Sequence, residues 1–243
     1  MRNGAAGLMG GARRAAADGV AMTTGRDGMS RRGIVATVAG LVLAATGRAR
    51  AAAAAGPARI MLIRHAEKPP RGGGPPFGLD PEGRHDTAAL SVKGWQRAGA
   101  LARFFVPRDG AAPPAGIARP DFLVAAAPDR DHASRRSVLT LQPLAELAGL
   151  VSDAGFGPEQ VEAAAAAILR RRGVGLVAWE HKRIADLVAA LTQGTVAGPH
   201  WPAERYDMVL VLDRDGAGWR LSQVAQLLLG GDSAEPLAFR KGG

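Results

Sequence analysis

The chain has no cysteine in 243 residues. That excludes a disulfide framework, thiolate metal ligands and a cysteine nucleophile, while leaving the redox compartment open. Aromatic residues make up only 5% of the total, and no basic stripe with interleaved aromatics occurs, so the surface expected of a nucleic-acid binder is missing. There is no internal repeat. The glycines at 72–74, 78 and 83 lack Walker spacing and no Gly-Lys-Ser/Thr follows them, which argues against a nucleotide phosphate loop. His85, His132 and His200 do not stand at metal-ligand spacing and read as loop histidines, with His132 a candidate for the entrance to a site. Long apolar runs are also absent: the longest, of about a dozen residues, is too short to span a bilayer comfortably.

What is present is an ordinary globular composition, 47% hydrophobic and 22% charged, at a length that fits one domain or a small pair. The formal net charge of +9 first points to nucleic acid or an anionic membrane. Its location changes that reading. Residues 1–56 hold eight arginines and two aspartates, so +6 of the charge lies there, and the remainder is close to balanced. Nucleic acid is therefore not the favoured partner.

The first 55 residues look like an address. Ser30-Arg31-Arg32-Gly33-Ile34-Val35 opens an apolar stretch to about Thr46, followed by Arg48-Ala49-Arg50-Ala51. A charged start, a short apolar core and small residues at a cleavage site describe a bacterial secretory signal. The paired arginines before a mild Ala/Gly/Val core resemble a twin-arginine signal, which exports folded proteins. Cleavage is expected after Ala51 or within Ala51–Ala55, giving a leader at 1–55 and a single domain at 56–243, exported to the periplasm or beyond and free of the membrane once cleaved. A disordered leader or an uncleaved anchor is the alternative, and Met29 is an alternative start.

Along 56–243, short apolar runs alternate with helical periodicities. Ile60-Met61-Leu62-Ile63, Phe122–Ala126 and Val174–Trp179 read as buried parallel strands. Ser91 is placed to cap a helix carrying Trp95, Ala98, Leu101, Ala102 and Phe105, with Trp95 in the core. Further helices are expected from Arg136 to Ala148, from Gly157-Pro158 to Gly173, and from Lys182 to Thr192. Asp207–Leu212 and Trp219–Leu228 read as strands joined by a turn at Asp213–Gly216. The alternation predicts an α/β fold of three layers, a mainly parallel central sheet with helices on both faces. The Pro/Gly-rich loop from Pro69 to His85 is a candidate wall or lid.

Three strand ends then deliver chemistry to one edge. Arg64 and His65 close the first strand, Arg136 opens the helix after the second, and Glu180 and His181 follow the third. In open α/β sheets such ends share a ligand crevice. An imidazole beside fixed guanidiniums can attack phosphorus while the arginines hold phosphate oxygens. Arg135 competes with Arg136 for this place. The acid for the leaving group is the weakest point. Glu180 is preferred, although neighbours on a strand face opposite ways; Glu159 and Asp153 are alternatives, and Glu67 is expected to pair with a base instead.

Arg64-His65-Ala66-Glu67 after its strand resembles the signature of the histidine phosphatase, or phosphoglycerate mutase-like, superfamily. Leu90-Ser91-Val92-Lys93-Gly94-Trp95-Gln96-Arg97-Ala98 and Arg136-Ser137-Val138-Leu139-Thr140 with Pro143-Leu144-Ala145 are similar to two further segments of that family, and His181 to its late histidine. The resemblance covers roughly 59–189. It implies a phosphoglycerate mutase-like fold and phosphomonoester hydrolysis through a phosphohistidine on His65. Arg64, Arg136, His181 and Lys68 would bind a small phosphorylated substrate, with no metal or cofactor. Ala127 stands where the family commonly has serine, and the stretch from Ala127 to Arg136 is longer than usual. Arg130, His132 and Arg135 together hint at a substrate more anionic than a lone monoester. A phosphate-binding or scaffold protein without catalysis is the alternative reading, and the sequence leaves the oligomeric state open.

Overall fold

In the computed structural model, residues 56–72 and 74–239 are described; the expected leader and its cleavage region lie outside them. The first strand, β1 (Pro57–Arg64), is buried on both faces from Ile60 onward. Its side chains alternate between two cores. Ile60 and Leu62 face one side, with Val124, Val177 and Leu210. Met61 and Ile63 face the other, with Leu123, Ala125, Leu176 and Val209.

Chain order after β1 is β2 (Gly78–Leu79), β3 (Leu90–Ser91), α1 (Val92–Phe105), β4 (Phe122–Ala126), α2 (Arg136–Ala148), β5 (Ser152–Phe156), α3 (Val161–Leu169), β6 (Gly173–Trp179), α4 (His181–Leu191), β7 (Met208–Asp215) and β8 (Gly218–Ala225). The six-stranded sheet runs β5-β4-β6-β1-β7-β8. Strands β5, β4, β6 and β1 are parallel. β7 runs against β1, and β8 against β7. Helices α3 and α4 bury Val161, Ile168, Ile184, Leu187 and Leu191 in one core, while α1 and α2 bury Leu101, Phe105, Leu141 and Leu144 in the other. The expected three-layer α/β arrangement with a mainly parallel sheet is present.

Several boundaries differ from expectation for identifiable reasons. Ser152–Phe156 is a strand although its sequence, Ser-Asp-Ala-Gly-Phe, has no apolar run; it lies at the sheet edge and is half exposed. β7 and β8 continue through the expected turn, pairing Asp213 with Arg220 and Arg214 with Trp219, where the Arg214 guanidinium stacks 4.1 Å from the indole. The Ala-rich helix is shorter, because Gly157–Gln160 forms a turn before Val161.

Helix α1 starts as expected: Ser91 Oγ accepts from the Gly94 N–H at 3.2 Å. Gly94 itself is required by close packing, since a Cβ there would lie 2.3 Å from the Glu67 carbonyl oxygen. This contact seats α1 directly on the segment that follows His65. Among the described residues no helix is long and apolar enough to cross a membrane.

Candidate active site

Parallel strands β4, β6 and β1 are neighbours, so their C-terminal ends share one edge. The β1–β6 pairing runs one step past the strand: the His65 N–H donates to the Trp179 carbonyl at 3.1 Å. His65 thus sits beside the Trp179–His181 corner. Helix α2 is tied to the same point. Thr140 Oγ1 accepts from the Ala66 N–H at 2.8 Å and donates to the Arg136 carbonyl at 2.7 Å. The Arg136-to-Thr140 spacing therefore fixes the first turn of α2 onto the backbone after His65.

The His65 ring is 4% exposed. Its Nδ1 lies 2.8 Å from the Ala66 carbonyl oxygen. A carbonyl only accepts, so Nδ1 carries the hydrogen and Nε2 the lone pair. Among the described residues Nε2 has no hydrogen-bond partner. Burial, followed by the charges of Arg64, Arg136 and His181 and against the Ala66 bond, pushes the pKa down to about 3. The imidazole is neutral at ordinary pH, and its lone-pair nitrogen is free of partners among the described residues.

Arg64 is almost wholly buried. Its Nη1 donates to the carbonyls of Pro202 (3.2 Å), Ala203 (2.6 Å) and Arg205 (2.9 Å), and Nη2 donates to the Tyr206 hydroxyl at 3.1 Å. The guanidinium carbon stands 3.8 Å from the centre of the Tyr206 ring. The fork expected for phosphate is thus largely engaged by one loop, while Nε is buried with no partner among the described residues. Arg136 is held likewise by neutral groups: Nε by the Ala89 carbonyl (3.1 Å), Nη1 by Ser134 Oγ (3.1 Å) and Nη2 by the Thr87 carbonyl (2.5 Å). Neutral acceptors orient a guanidinium without cancelling its charge, so both arginines still act on His65.

His181 opens α4, and its Nδ1 is buried without a partner among the described residues. Burial, then Arg64, Lys68, Lys182 and His200, lower its pKa to about 4. Glu180 is the N-cap of α4 and its carboxylate makes no capping bond. The objection from strand alternation falls away, because β6 ends at Trp179 and Glu180 already stands in the turn. Its charge bears on both Arg64 and Arg136. Lys68 is half buried, its pKa lowered by burial and then by Arg64, Arg136, Arg71 and Lys182.

Two clefts of about 440 Å³ adjoin these residues. His181, Lys182, Ala185, Asp186, His200 and Trp201 contribute to one; Lys68, Pro69, Pro70, Arg71, Thr87 and Arg136 to the other. The start of the Pro/Gly-rich loop is therefore a wall.

Other candidates lie elsewhere. Arg135 is ion-paired with Asp86, which leaves Arg136 as the arginine of the crevice. Asp153 is paired with Arg171 on the edge strand. Glu159 pairs with Arg183 at 3.2 Å and lies 3.9 Å from His132, which also contacts Asp129 at 3.1 Å. His85 stacks on Phe77. Asp153 and Glu159 are thus each engaged by an arginine, and of the cationic cluster expected at Arg130, His132 and Arg135 only Arg130 has no ion pair among the described residues. Glu67 does pair with a base, the buried Arg97, at 2.9 Å. Trp95 is only half buried, with Nε1 on the Leu79 carbonyl at 2.9 Å.

The sequence reading missed Tyr206. Its ring centre is 6.1 Å from that of His65, and burial, the largest influence, raises its pKa. The available signal was slight: it is the only tyrosine in the chain, two residues before β7.

No protein-family model matches the chain, and no curated protein matches it in sequence. Among solved structures it is similar to a protein assigned as the phosphohistidine phosphatase SixA of Agrobacterium tumefaciens, at 19% identity over 69% of this chain and 98% of that one, TM-score 0.37. It is also similar to the product of open reading frame Rv3214 of Mycobacterium tuberculosis (16% identity, 70% and 97% covered, TM-score 0.38). A third is a phosphoglycerate mutase from Plasmodium falciparum (11% identity, 76% and 96% covered, TM-score 0.37).

Proposed function

We propose that this chain is a histidine phosphatase that hydrolyses a phosphomonoester through a phosphohistidine on His65. One observation carries the reading: a neutral imidazole, with Nδ1–H tied to the Ala66 carbonyl and Nε2 free, stands beside Arg64 and Arg136, neither of which has an ion-pair partner among the described residues. Nε2 attacks phosphorus in line and the P–O bond to the leaving alcohol breaks. Charge accumulates on three equatorial oxygens, where the remaining donors of Arg64 and Arg136, with His181, act. The unpartnered Arg64 Nε and His181 Nδ1 are the buried groups that would gain most from such an anion. Glu180, between Arg64 and Arg136 in influence, is the group assigned to protonate the leaving oxygen; Lys68 adds to the phosphate seat. Water then cleaves the phosphohistidine, releasing phosphate and restoring His65.

The test is phosphate release from p-nitrophenyl phosphate by the purified full chain. Turnover abolished by His65→Ala, with vanadate inhibition and an acid-labile label on His65, is the expected result. Phosphate binding without turnover would replace the enzyme by an anion-binding protein on the same scaffold. Export through the Arg31-Arg32 leader belongs to the same proposal. Its check is cell fractionation, in which Arg31→Lys with Arg32→Lys retains the chain in the cytoplasm.

A further inference from the structure

The phosphoryl seat accounts for only part of the positive charge gathered at this edge. A phosphoryl group has three terminal oxygens, and Arg64, Arg136 and His181 are the groups gathered around His65 to meet them. Lys68, half-buried at the margin of that seat, and the exposed Arg71 and Lys182 extend the positive charge beyond it. None of the ion pairs among the described residues includes Arg64, Lys68, Arg71, Arg136 or Lys182. Arginines just outside the crevice are treated differently: Arg84 is bound by Asp80, Arg135 by Asp86 and Arg183 by Asp186. The Asp80 and Asp86 carboxylates of the 69–90 loop are thus taken up by other arginines, and Lys68, Arg71 and Lys182 have no carboxylate partner among the described residues.

The excess is concentrated on one side. The cleft formed by Lys68, Pro69, Pro70, Arg71, Thr87 and Arg136 has no carboxylate in its lining, whereas the cleft beyond His181 includes Asp186. Two consecutive prolines stiffen the first wall, so little chain entropy is lost when a ligand orders against it. Like charges this close repel within a Debye length unless an anion lies between them.

From this cleft we infer a second anion subsite: the substrate carries, beside the scissile phosphoryl group, another phosphate-type dianion that rests against Lys68 and Arg71. The inference builds on the phosphatase reading and narrows its substrate to small bis-anionic phosphomonoesters. It also moves the source of selectivity from the Asp129–Arg135 loop, where His132 is bound to Asp129 and Arg135 to Asp86, to the wall at 68–71. A second anion bound equally in ground and transition states lowers KM rather than raising kcat.

The experiment compares propane-1,3-diyl bisphosphate with propyl phosphate on the purified full chain. The expected result is a kcat/KM at least tenfold higher for the bisphosphate, arising in KM. Arg71→Ala should reduce that preference at least fivefold, while Arg130→Ala, an exposed arginine on the other loop, should not. Equal rates on both esters, or equal effects of the two substitutions, would overturn the subsite. Calorimetric binding of methylenediphosphonate against orthophosphate decides the same question without turnover. Tighter bisphosphonate binding, weakened by Arg71→Ala, supports the subsite even where no ester is hydrolysed, an outcome that would count against the phosphatase reading alone. Equal binding of the two probes counts against the subsite alone.

Discussion

Two of the largest fully buried side chains are arginines, Arg64 and Arg97, and the chain satisfies them in opposite ways. Arg97 donates from Nε and Nη2 to Glu67, from Nη1 and Nη2 to Asp232, and from Nη1 to Gln226, at 2.7 to 3.0 Å. Two carboxylates more than offset one guanidinium, and every donor is occupied. Arg64 meets three backbone carbonyls and a phenol, none of them charged, and keeps a free buried Nε. The difference teaches what each is for. Arg97 joins the segment after His65 to the chain at 226–232 and has no charge left over. Arg64 is oriented with its charge intact, and that charge helps hold His65 neutral.

The largest effect expected is on stability. Arg97→Met leaves Glu67 and Asp232 buried without their partner, which should cost about 3 to 5 kcal/mol in a denaturant titration. Joint replacement of Arg97, Glu67 and Asp232 by apolar residues should recover most of that loss. If Arg97→Met unfolds no more easily than the parent, the network is ornamental and the contrast with Arg64 collapses.

Arg64→Ala should fall mainly on chemistry, lowering kcat by about 10² to 10³, the range for loss of one transition-state donor. It should also raise the His65 pKa from about 3, because one of the charges that depress it is gone while burial remains. The parent kcat/KM should accordingly show no His65 limb between pH 5 and 7, and in Arg64→Ala any such limb should lie higher than in the parent. A parent limb near pH 6.5 would place the His65 pKa at its ordinary value and break the argument for a poised neutral nucleophile.

Much of this comparison was legible beforehand. The run Ile60–Ile63 and the residues after it placed Arg64 and His65 at a strand end, and the offset to Thr140 favoured Arg136, which lines the cleft beside Lys68 while Thr140 ties α2 to Ala66. What stayed hidden was pairing. Whether an arginine meets carbonyls or carboxylates depends on residues 130 or more positions away, such as Ala203, Tyr206 and Asp232, and no local pattern announces them. The ion pairs of Asp153 with Arg171 and of Glu159 with Arg183 were hidden as well, although their partners stand nearer in the chain.

Acid titration separates the two arginines at a smaller scale. Burial opposes ionisation of Asp232, but its hydrogen bonds to Arg97 and to the Leu229 N–H win and bring its pKa down to about 2. A depressed carboxylate stabilises the fold above its unfolded pKa, and that stabilisation is lost as pH falls through the folded value. The parent should lose about 2 kcal/mol between roughly pH 4 and pH 2 from this group. The limb should be absent in Asp232→Asn, and Arg64→Ala should leave it in place. Stability curves against pH that lack the limb in the parent would show that Arg97 does not hold Asp232 ionised.

The smallest effect is the most specific to Arg64. Tyr206→Phe removes the hydroxyl that accepts from Nη2 at 3.1 Å but keeps the ring 3.8 Å from the guanidinium carbon. The three carbonyls still hold Nη1, so the charge stays near His65 and only the angle of the free edge relaxes. A positioning bond of this kind should be worth about 1 kcal/mol, roughly fivefold, and should appear in kcat with KM nearly constant. Equal loss of thermal stability and activity would make Tyr206 a packing residue. A kcat loss with unchanged melting temperature requires that the phenol act on catalysis through the arginine it orients.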